Sequence, residues 1–239
     1  MDLTSESLKI KLFADGADLD GMIEMASKPY ISGLTTNPTL MKKAGVTNYS
    51  QFARDVLNEI KNKPISFEVF SDDLEGIKNQ GLKIASWGEN VFVKIPITTT
   101  KGESTKPVVK FLTDEGVKVN VTALMTNRQV KHISDALNPN LESYISVFAG
   151  RIADTGLDPV GIMKNCLETL SQNKNAQLIW ASPRELLNIF QADQIGCHII
   201  TATNDILKKL NLIGYDLEKY SLDTVKMFFE DGKESGLNI

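Results

Sequence analysis

One lysine lies inside a short apolar segment, where a charged side chain is costly. Lys94 is the only polar residue of residues 91–97, VFVKIPI. A run this rich in Val and Ile predicts a strand that is buried on both faces. Burial disfavours the ammonium form of a lysine, and a neutral amine attacks carbonyl carbons. The segment therefore predicts a Schiff-base-forming lysine. Its alternative is a strand-end lysine that reaches solvent or pairs with a carboxylate.

Eight apolar segments predicted as strands alternate with helical patterns along the chain. The strands are predicted at residues 9–14, 31–34, 65–70, 91–97, 117–121, 144–148, 177–181 and 197–200. The clearest helical patterns are at residues 49–60, 127–137, 158–170, 185–190 and 222–231. This alternation favours a parallel sheet with helices outside it. Eight such units favour closure as a (β/α)8 TIM barrel, a fold that typically takes about 250 residues.

Composition indicates a globular chain of one domain. Residues 1–239 contain no Gly/Pro/Ser-rich linker, so we predict a single barrel domain in which residues 221–239 form a C-terminal helical extension. The net charge of −4 and the absence of a basic stripe argue against a nucleic-acid partner. The N-terminal residues lack the apolar core of a signal peptide, and no apolar run is long enough for a membrane span. We therefore predict a cytoplasmic protein.

Polar residues follow the predicted strands at the end where a barrel carries its chemistry. Glu68 breaks an otherwise apolar strand from within. Taken singly, each of these residues has an ordinary explanation as a helix cap, a turn residue or a surface ion pair. Together they would converge on one rim around Lys94. They are Asp15, Thr35, Asn37, Asn120, Thr122, Ser146, Arg151, Ser182 and Arg184.

Seven motifs, in this order, resemble those of the transaldolases over nearly the whole chain. They are FADGAD (13–18), GLTTNPTL (33–40), SFEV (66–69), VKIPIT (93–98), NVTAL (120–124), SVFAGRIAD (146–154) and ASPRE (181–185). One departure is Gly16, since many relatives have Thr or Ser after the aspartate of the first motif. The resemblance implies a barrel that transfers a dihydroxyacetone unit between phosphosugars.

The resemblance also implies catalytic roles for four residues. Lys94 would form an imine with the ketone of a ketose phosphate. Asp15 would exchange a proton with the C4 hydroxyl as the C3–C4 bond breaks. Glu68 and Thr122 would hold a water that relays protons during imine formation.

A second implied set binds the substrate. It consists of two asparagines for sugar hydroxyls, two supporting hydroxyl residues, and two arginines with a serine for the phosphate. These are Asn37 and Asn120, Thr35 and Ser146, and Arg151, Arg184 and Ser182. Phe148 completes the predicted substrate-binding residues. Guanidinium groups suit phosphate because of their fork geometry. Neither a metal nor a cofactor is implied, and His132 and His198 lack ligand partners in the sequence pattern.

Two alternatives to a transaldolase stay open from the sequence. Fructose-6-phosphate aldolase, in the same superfamily, resembles this chain but carries Gln and Tyr where Glu68 and Phe148 stand here. A non-catalytic barrel that binds phosphosugars would need the arginines without the lysine. An apolar stretch near the end, within residues 222–229, predicts a helix that forms a homo-oligomer interface or closes the barrel.

Overall fold

The computed structural model describes residues 8–236 and contains the predicted alternation of strands and helices. The strands are β1 (Lys11–Asp15), β2 (Ile31–Thr35), β3 (Ile65–Glu68), β4 (Val91–Pro96), β5 (Val119–Leu124), β6 (Ser143–Val147), β7 (Ala176–Trp180) and β8 (Ile199–Thr203). The helices are α1 (Leu19–Ser27), α2 (Pro38–Lys43), α3 (Tyr49–Glu59), α4 (Leu74–Ala85), α5 (Lys106–Asp114), α6 (Asn127–Ser134), α7 (Ala149–Asp154), α8 (Pro159–Leu170), α9 (Leu187–Gln194), α10 (Asn204–Leu207) and α11 (Leu217–Glu234), with a 3₁₀ helix at Lys208–Leu212.

The eight strands are parallel and form a closed barrel. Each strand pairs with its neighbours in chain order, and β1 closes the ring by pairing with β8 as well as with β2. Because all carboxyl ends lie on one side, the residues that end the strands meet around a single opening. The predicted (β/α)8 TIM barrel is confirmed.

Aromatic rings fill the lower part of the barrel interior. The rings of Phe92 and Tyr144 stack with their centroids 4.0 Å apart, and Phe13 meets Tyr144 edge-on at 5.7 Å. Gly33 lies beside Phe13 on the adjoining strand, and a Cβ atom at Gly33 would come within 2.5 Å of the Phe13 ring. The glycine therefore provides the space that the ring occupies.

The predicted strand ends need correction at the edge that carries polar residues. Glu68 is the last residue of β3, so it ends the strand and does not interrupt it. β5 runs on through Thr122 to Leu124, and β8 runs on through Thr201 to Thr203. Polar residues in a sequence are typical of loops. Here their side chains face the barrel interior, and the backbone continues the hydrogen-bond ladder of the sheet. The remaining strands agree with the prediction to within two residues at each end.

Two short helices, α2 and α7, were not predicted as elements, and α9 lies two residues later than its predicted start. The C-terminal helix α11 has 18 residues and begins five residues before the helical pattern predicted at 222–231, and none of its residues is buried. It therefore does not close the barrel, and its role as an interface stays a prediction. Residues 1–7 and 237–239, which include parts of the predicted N-terminal segment and C-terminal extension, lie outside the described residues. Within residues 8–236, no helix has the length and apolar character to cross a membrane.

Replacing Gly33 by Ala should destabilise the barrel, because the added methyl group would force Phe13 out of its packing. Overpacking of this kind typically costs about 1–3 kcal/mol. Gly161→Ala is the matched control, since a Cβ atom there meets no other atom within 4 Å and the residue is helical. Urea unfolding of both variants measures the effect. Equal stability of Gly33→Ala and the parent would show that Phe13 can move aside.

Candidate active site

A cavity of about 450 Å³ opens at the carboxyl end of the strands. Eleven of the twelve site residues predicted from the sequence line it. They are Asp15, Thr35, Asn37, Glu68, Lys94, Thr122, Ser146, Phe148, Arg151, Ser182 and Arg184. The barrel thus brings together residues that are far apart in the chain.

Asn120 is the twelfth predicted residue, and it lies beneath the cavity floor. It is fully buried, donates to Ser66 Oγ at 2.9 Å and accepts from Ser146 Oγ at 2.7 Å. In this position it connects three strands, β3, β5 and β6, and it pairs in register with Lys94 on β4. These bonds support the floor of the cavity, and the contact with sugar hydroxyls that the resemblance implies for Asn120 stays a prediction.

Lys94 forms the centre of the floor and is only 6% exposed. Its Nζ atom donates to the main-chain carbonyl of Thr36 at 2.7 Å and lies 3.3 Å from Glu68 Oε2. The pairing of β3 with β4 places Glu68 and Lys94 side by side, which explains why this ion pair forms. Lys94 therefore pairs with the Glu68 carboxylate, as the alternative reading of the sequence predicted. The pair lies inside the cavity.

Asp15 ends β1 and points into the same space. Its Oδ1 atom accepts from Thr35 Oγ1 at 2.8 Å, and its Oδ2 atom accepts from Asn37 Nδ2 at 3.2 Å. Asn37 is held in turn, because its Oδ1 atom caps α2 through the Leu40 amide. Burial raises the pKa of Asp15, while the positive charge of Lys94 and the two hydrogen bonds oppose that rise.

Glu68 is the second carboxylate beside the lysine. Burial raises its pKa, the attraction of Lys94 opposes this, and the nearby negative charge of Asp15 adds to it. Two carboxylates with raised pKa values next to one amine form a set of groups that can exchange protons with a bound substrate.

Thr122 faces this set from β5. A register shift between β5 and β6 puts two residues of β5, Thr122 and Ala123, opposite Ser146. Ala123 takes a left-handed conformation, with φ at 63°, to accommodate the extra residue. The Thr122 hydroxyl is buried and bonds no protein atom within the described part of the chain. A buried hydroxyl without a partner can bind a polar group of a ligand.

Arg151, Ser182 and Arg184 form the outer wall of the cavity. Arg184 donates from Nε to Asp154 Oδ1 at 2.9 Å, forms a second bond to that carboxylate, and donates from Nη1 to Ser182 Oγ at 2.9 Å. A Cβ atom at Gly150 would lie 1.6 Å from the carbonyl oxygen of Ser182, so only glycine fits there. This contact packs the Ser182 turn against α7, and the wall presents two guanidinium groups suited to an anion.

The fold of the chain is similar to that of a solved dihydrodipicolinate synthase family protein from Coccidioides immitis. The TM-score is 0.59 at 14% identity, and the match covers 93% of this chain and 76% of that one. At this identity the likeness concerns the fold alone.

Sequence comparison gives a more specific result. A "Probable transaldolase" of Thermoanaerobacter sp. (strain X514) is 31% identical over 231 residues, covering 96% of this chain and all of the relative. One from Clostridium acetobutylicum is also 31% identical, covering 95% of this chain and 99% of the relative. The model of the transaldolase/fructose-6-phosphate aldolase family matches residues 12–239. The chain belongs to this family. The resemblance inferred from the seven motifs is thereby confirmed.

Three contributors to the site of this family member were missed from the sequence. Thr201 lines the cavity and contacts Thr35, and it would have been found had the last strand been extended beyond Ile200. Asp154 holds Arg184, and its place three residues after Arg151 on α7 offered a signal once that helix was recognised. The carbonyl of Thr36 offered none, because main-chain groups carry no sequence signature.

The two histidines lie away from the cavity. His132, on α6, contacts Ser104 Oγ at 2.8 Å. His198 lies just before β8, not within a strand, and its Nδ1 atom accepts from the Leu178 amide. Burial lowers the pKa of His198. In the described range 8–236, no group of three or more His, Cys, Asp or Glu side chains is arranged to hold a metal ion.

Removing the Asp15 carboxylate should change how stability depends on pH. Because the pKa of Asp15 is raised, the folded chain keeps a proton that the unfolded chain has already lost, and the free energy of unfolding falls as pH rises through that range. Asp15→Asn abolishes this titration. Its stability relative to the parent should therefore increase from about pH 4 towards neutral pH.

Urea unfolding at a series of pH values measures this difference. Asp154→Asn is the control with the opposite sign, because Arg184 lowers the pKa of Asp154. Its stability relative to the parent should fall as pH rises, and only below about pH 4. A difference for Asp15→Asn that does not vary with pH would mean that Asp15 ionises at its ordinary pKa.

Proposed function

We propose that this protein is a transaldolase that acts through a Schiff base on Lys94. It transfers a dihydroxyacetone unit from sedoheptulose 7-phosphate or fructose 6-phosphate to glyceraldehyde 3-phosphate or erythrose 4-phosphate, as a cytoplasmic enzyme of the pentose phosphate pathway. The observation that carries the proposal is a buried lysine in a cavity with two partly buried carboxylates, Glu68 and Asp15. Family membership supports the same reaction class.

Imine formation requires that the amine of Lys94 lose its proton and that the substrate carbonyl oxygen leave as water. Glu68, 3.3 Å from the Lys94 nitrogen, is placed to take the first proton. Its raised pKa suits it to return a proton to the departing oxygen. The unpartnered hydroxyl of Thr122 is available to hydrogen-bond that oxygen or a water beside it.

Cleavage of the C3–C4 bond requires a base at the C4 hydroxyl. Asp15 is the second carboxylate of the cavity, and Thr35 and Asn37 fix its orientation. It takes the hydroxyl proton while the protonated imine on Lys94 accepts the electron pair of the breaking bond. The aldose phosphate leaves, the three-carbon unit stays on the lysine, and the reverse steps attach it to the acceptor.

The phosphate end of the substrate fits the wall of Arg151, Ser182 and Arg184. Arg184 is already oriented by Asp154, so it loses little conformational freedom on binding. Two guanidinium groups with one carboxylate leave a net positive charge, which favours a phosphorylated sugar over a free one.

Trapping with borohydride tests the imine. Incubation with fructose 6-phosphate and borohydride should add a reduced three-carbon or six-carbon adduct to the peptide that contains Lys94, because only an imine is reduced to a stable amine. Lys94→Arg should abolish both the adduct and the transferase activity, since a guanidinium is not a nucleophile. Lys118→Arg, at the opposite end of the barrel, should retain both. An unmodified Lys94 peptide in the parent would contradict the proposal and favour a barrel that only binds phosphosugars.

Transfer is favoured over release of free dihydroxyacetone by the residue at position 148. Phe148 is partly buried on the cavity wall and has no proton to give to the bound three-carbon carbanion. Phe148→Tyr should raise the ratio of dihydroxyacetone release to transfer by at least about tenfold, as an added general acid would. Phe148→Leu controls for the change of shape. The ratio is measured with and without an acceptor aldose phosphate, and the same ratio in parent and tyrosine variant would refute this role.

A further inference from the structure

Two threonine hydroxyls lie in contact behind Asp15. Thr35 Oγ1 and Thr201 Oγ1 are 2.5 Å apart, and both side chains are buried. Thr35 is on β2 and Thr201 is on β8, the two strands that flank β1. The contact therefore passes across the strand that carries Asp15, and it connects the carboxylate to the last strand of the barrel.

The direction of these hydrogen bonds follows from counting protons. A threonine hydroxyl has one proton to donate and can accept two. When Asp15 is ionised, the 2.8 Å contact to its Oδ1 atom requires that Thr35 be the donor. Thr35 then has no proton left for Thr201, so Thr201 must donate to Thr35. The chain runs from Thr201 to Thr35 to Asp15.

A proton on either carboxylate oxygen of Asp15 would disturb a hydrogen bond that this oxygen accepts. If the proton were on Oδ1, Thr35 would have to accept a hydrogen bond from it and donate its own proton to Thr201. Thr201 would then no longer donate to Thr35. On Oδ2 the proton would face the amide hydrogen of Asn37, and Asn37 cannot flip because its oxygen caps α2. Both neighbours therefore favour the carboxylate form and act against the effect of burial.

We propose that Thr201 is a positioning residue that, through Thr35, keeps Asp15 oriented and ionised so that it can accept the C4 hydroxyl proton. This proposal rests on the proposed function for the role of Asp15. Thr201 acts through Thr35 and takes no part in bond making. Hydrogen bonds in such a chain polarise one another, so loss of the outer hydroxyl weakens the inner bond to the carboxylate.

Thr201→Val tests the proposal, because valine keeps the branched shape and removes the hydroxyl. The acidic limb of the pH profile of kcat/KM for fructose 6-phosphate, with erythrose 4-phosphate as acceptor, should move to higher pH. One net hydrogen bond corresponds to a shift of roughly half to one pH unit. Thr201→Ser should restore the parent profile. Loss of activity without movement of the limb in Thr201→Val would overturn the proposal.

The acidic limb of the kcat/KM profile must be assigned to Asp15 and not to the other ionisable groups that face Asp15. Glu68 on β3 and Lys94 on β4 are those groups, and the substrate phosphate also titrates, near pH 6. Neither threonine variant alters any of them. Unfolding free energies provide an assay without turnover: Thr201→Val should change their pH dependence in the parent and not in an Asp15→Asn background. A change that persists in the Asp15→Asn background would assign the effect to another group and overturn the proposal.

This equilibrium assay separates the two levels of inference. If borohydride traps no adduct but the pH dependence of stability changes as expected, the proposed function fails and the hydrogen-bonded chain stands. If the adduct forms and Thr201→Val shifts neither profile, the function stands and the role of Thr201 is refuted.

Discussion

The close placement of three ionisable groups at one end of a barrel, one of them buried and two partly buried, is the constraint on which the rest of the structure depends. The charged forms of Lys94, Glu68 and Asp15 lose hydration free energy when they leave water. Such charges are tolerated only with close partners in good geometry. The carbonyl of Thr36 and the side chain of Thr35 complete the set of partners. Thr35 ends β2 and Thr36 follows it directly, so both partners are positioned by the pairing of β2 with its neighbours.

Strand register positions the three ionisable groups, and the segment between β2 and α2 adds the Thr36 carbonyl and the Asn37 side-chain amide. Glu68 stands opposite Lys94, and Asp15 stands opposite Thr35, because the ladders of adjacent strands place them so. Below them, Asn120 joins Ser66 and Ser146 by hydrogen bonds. These bonds satisfy buried polar groups and resist sliding of one strand past another. The floor of the cavity is therefore as rigid as the barrel.

The sequence was sufficient for the barrel and for most of the cavity, because several polar residues at the ends of apolar strands converge on one rim in a parallel barrel. Asp15 could be found in this way, and Lys94 could be found because it is the one polar residue inside an apolar strand. Asn120 follows the same pattern and yet does not line the cavity, because depth along a strand cannot be derived from residue type alone. Thr201 was missed because threonine occurs both in strands and in loops, so the end of β8 could not be located from it. Contacts between distant elements, such as Asp154 with Arg184, require the three-dimensional structure.

One close contact on the outer wall has a consequence for how this chain can change over time. No side chain larger than hydrogen fits at position 150 while the carbonyl of Ser182 lies against it. Ser182 itself holds a left-handed conformation, with φ at 60°, that most residues avoid. A lineage that acquires a side chain at position 150 must therefore rebuild the Ser182 turn in the same step. The two segments are thirty-two positions apart in the chain, and we expect positions 150 and 182 to change together.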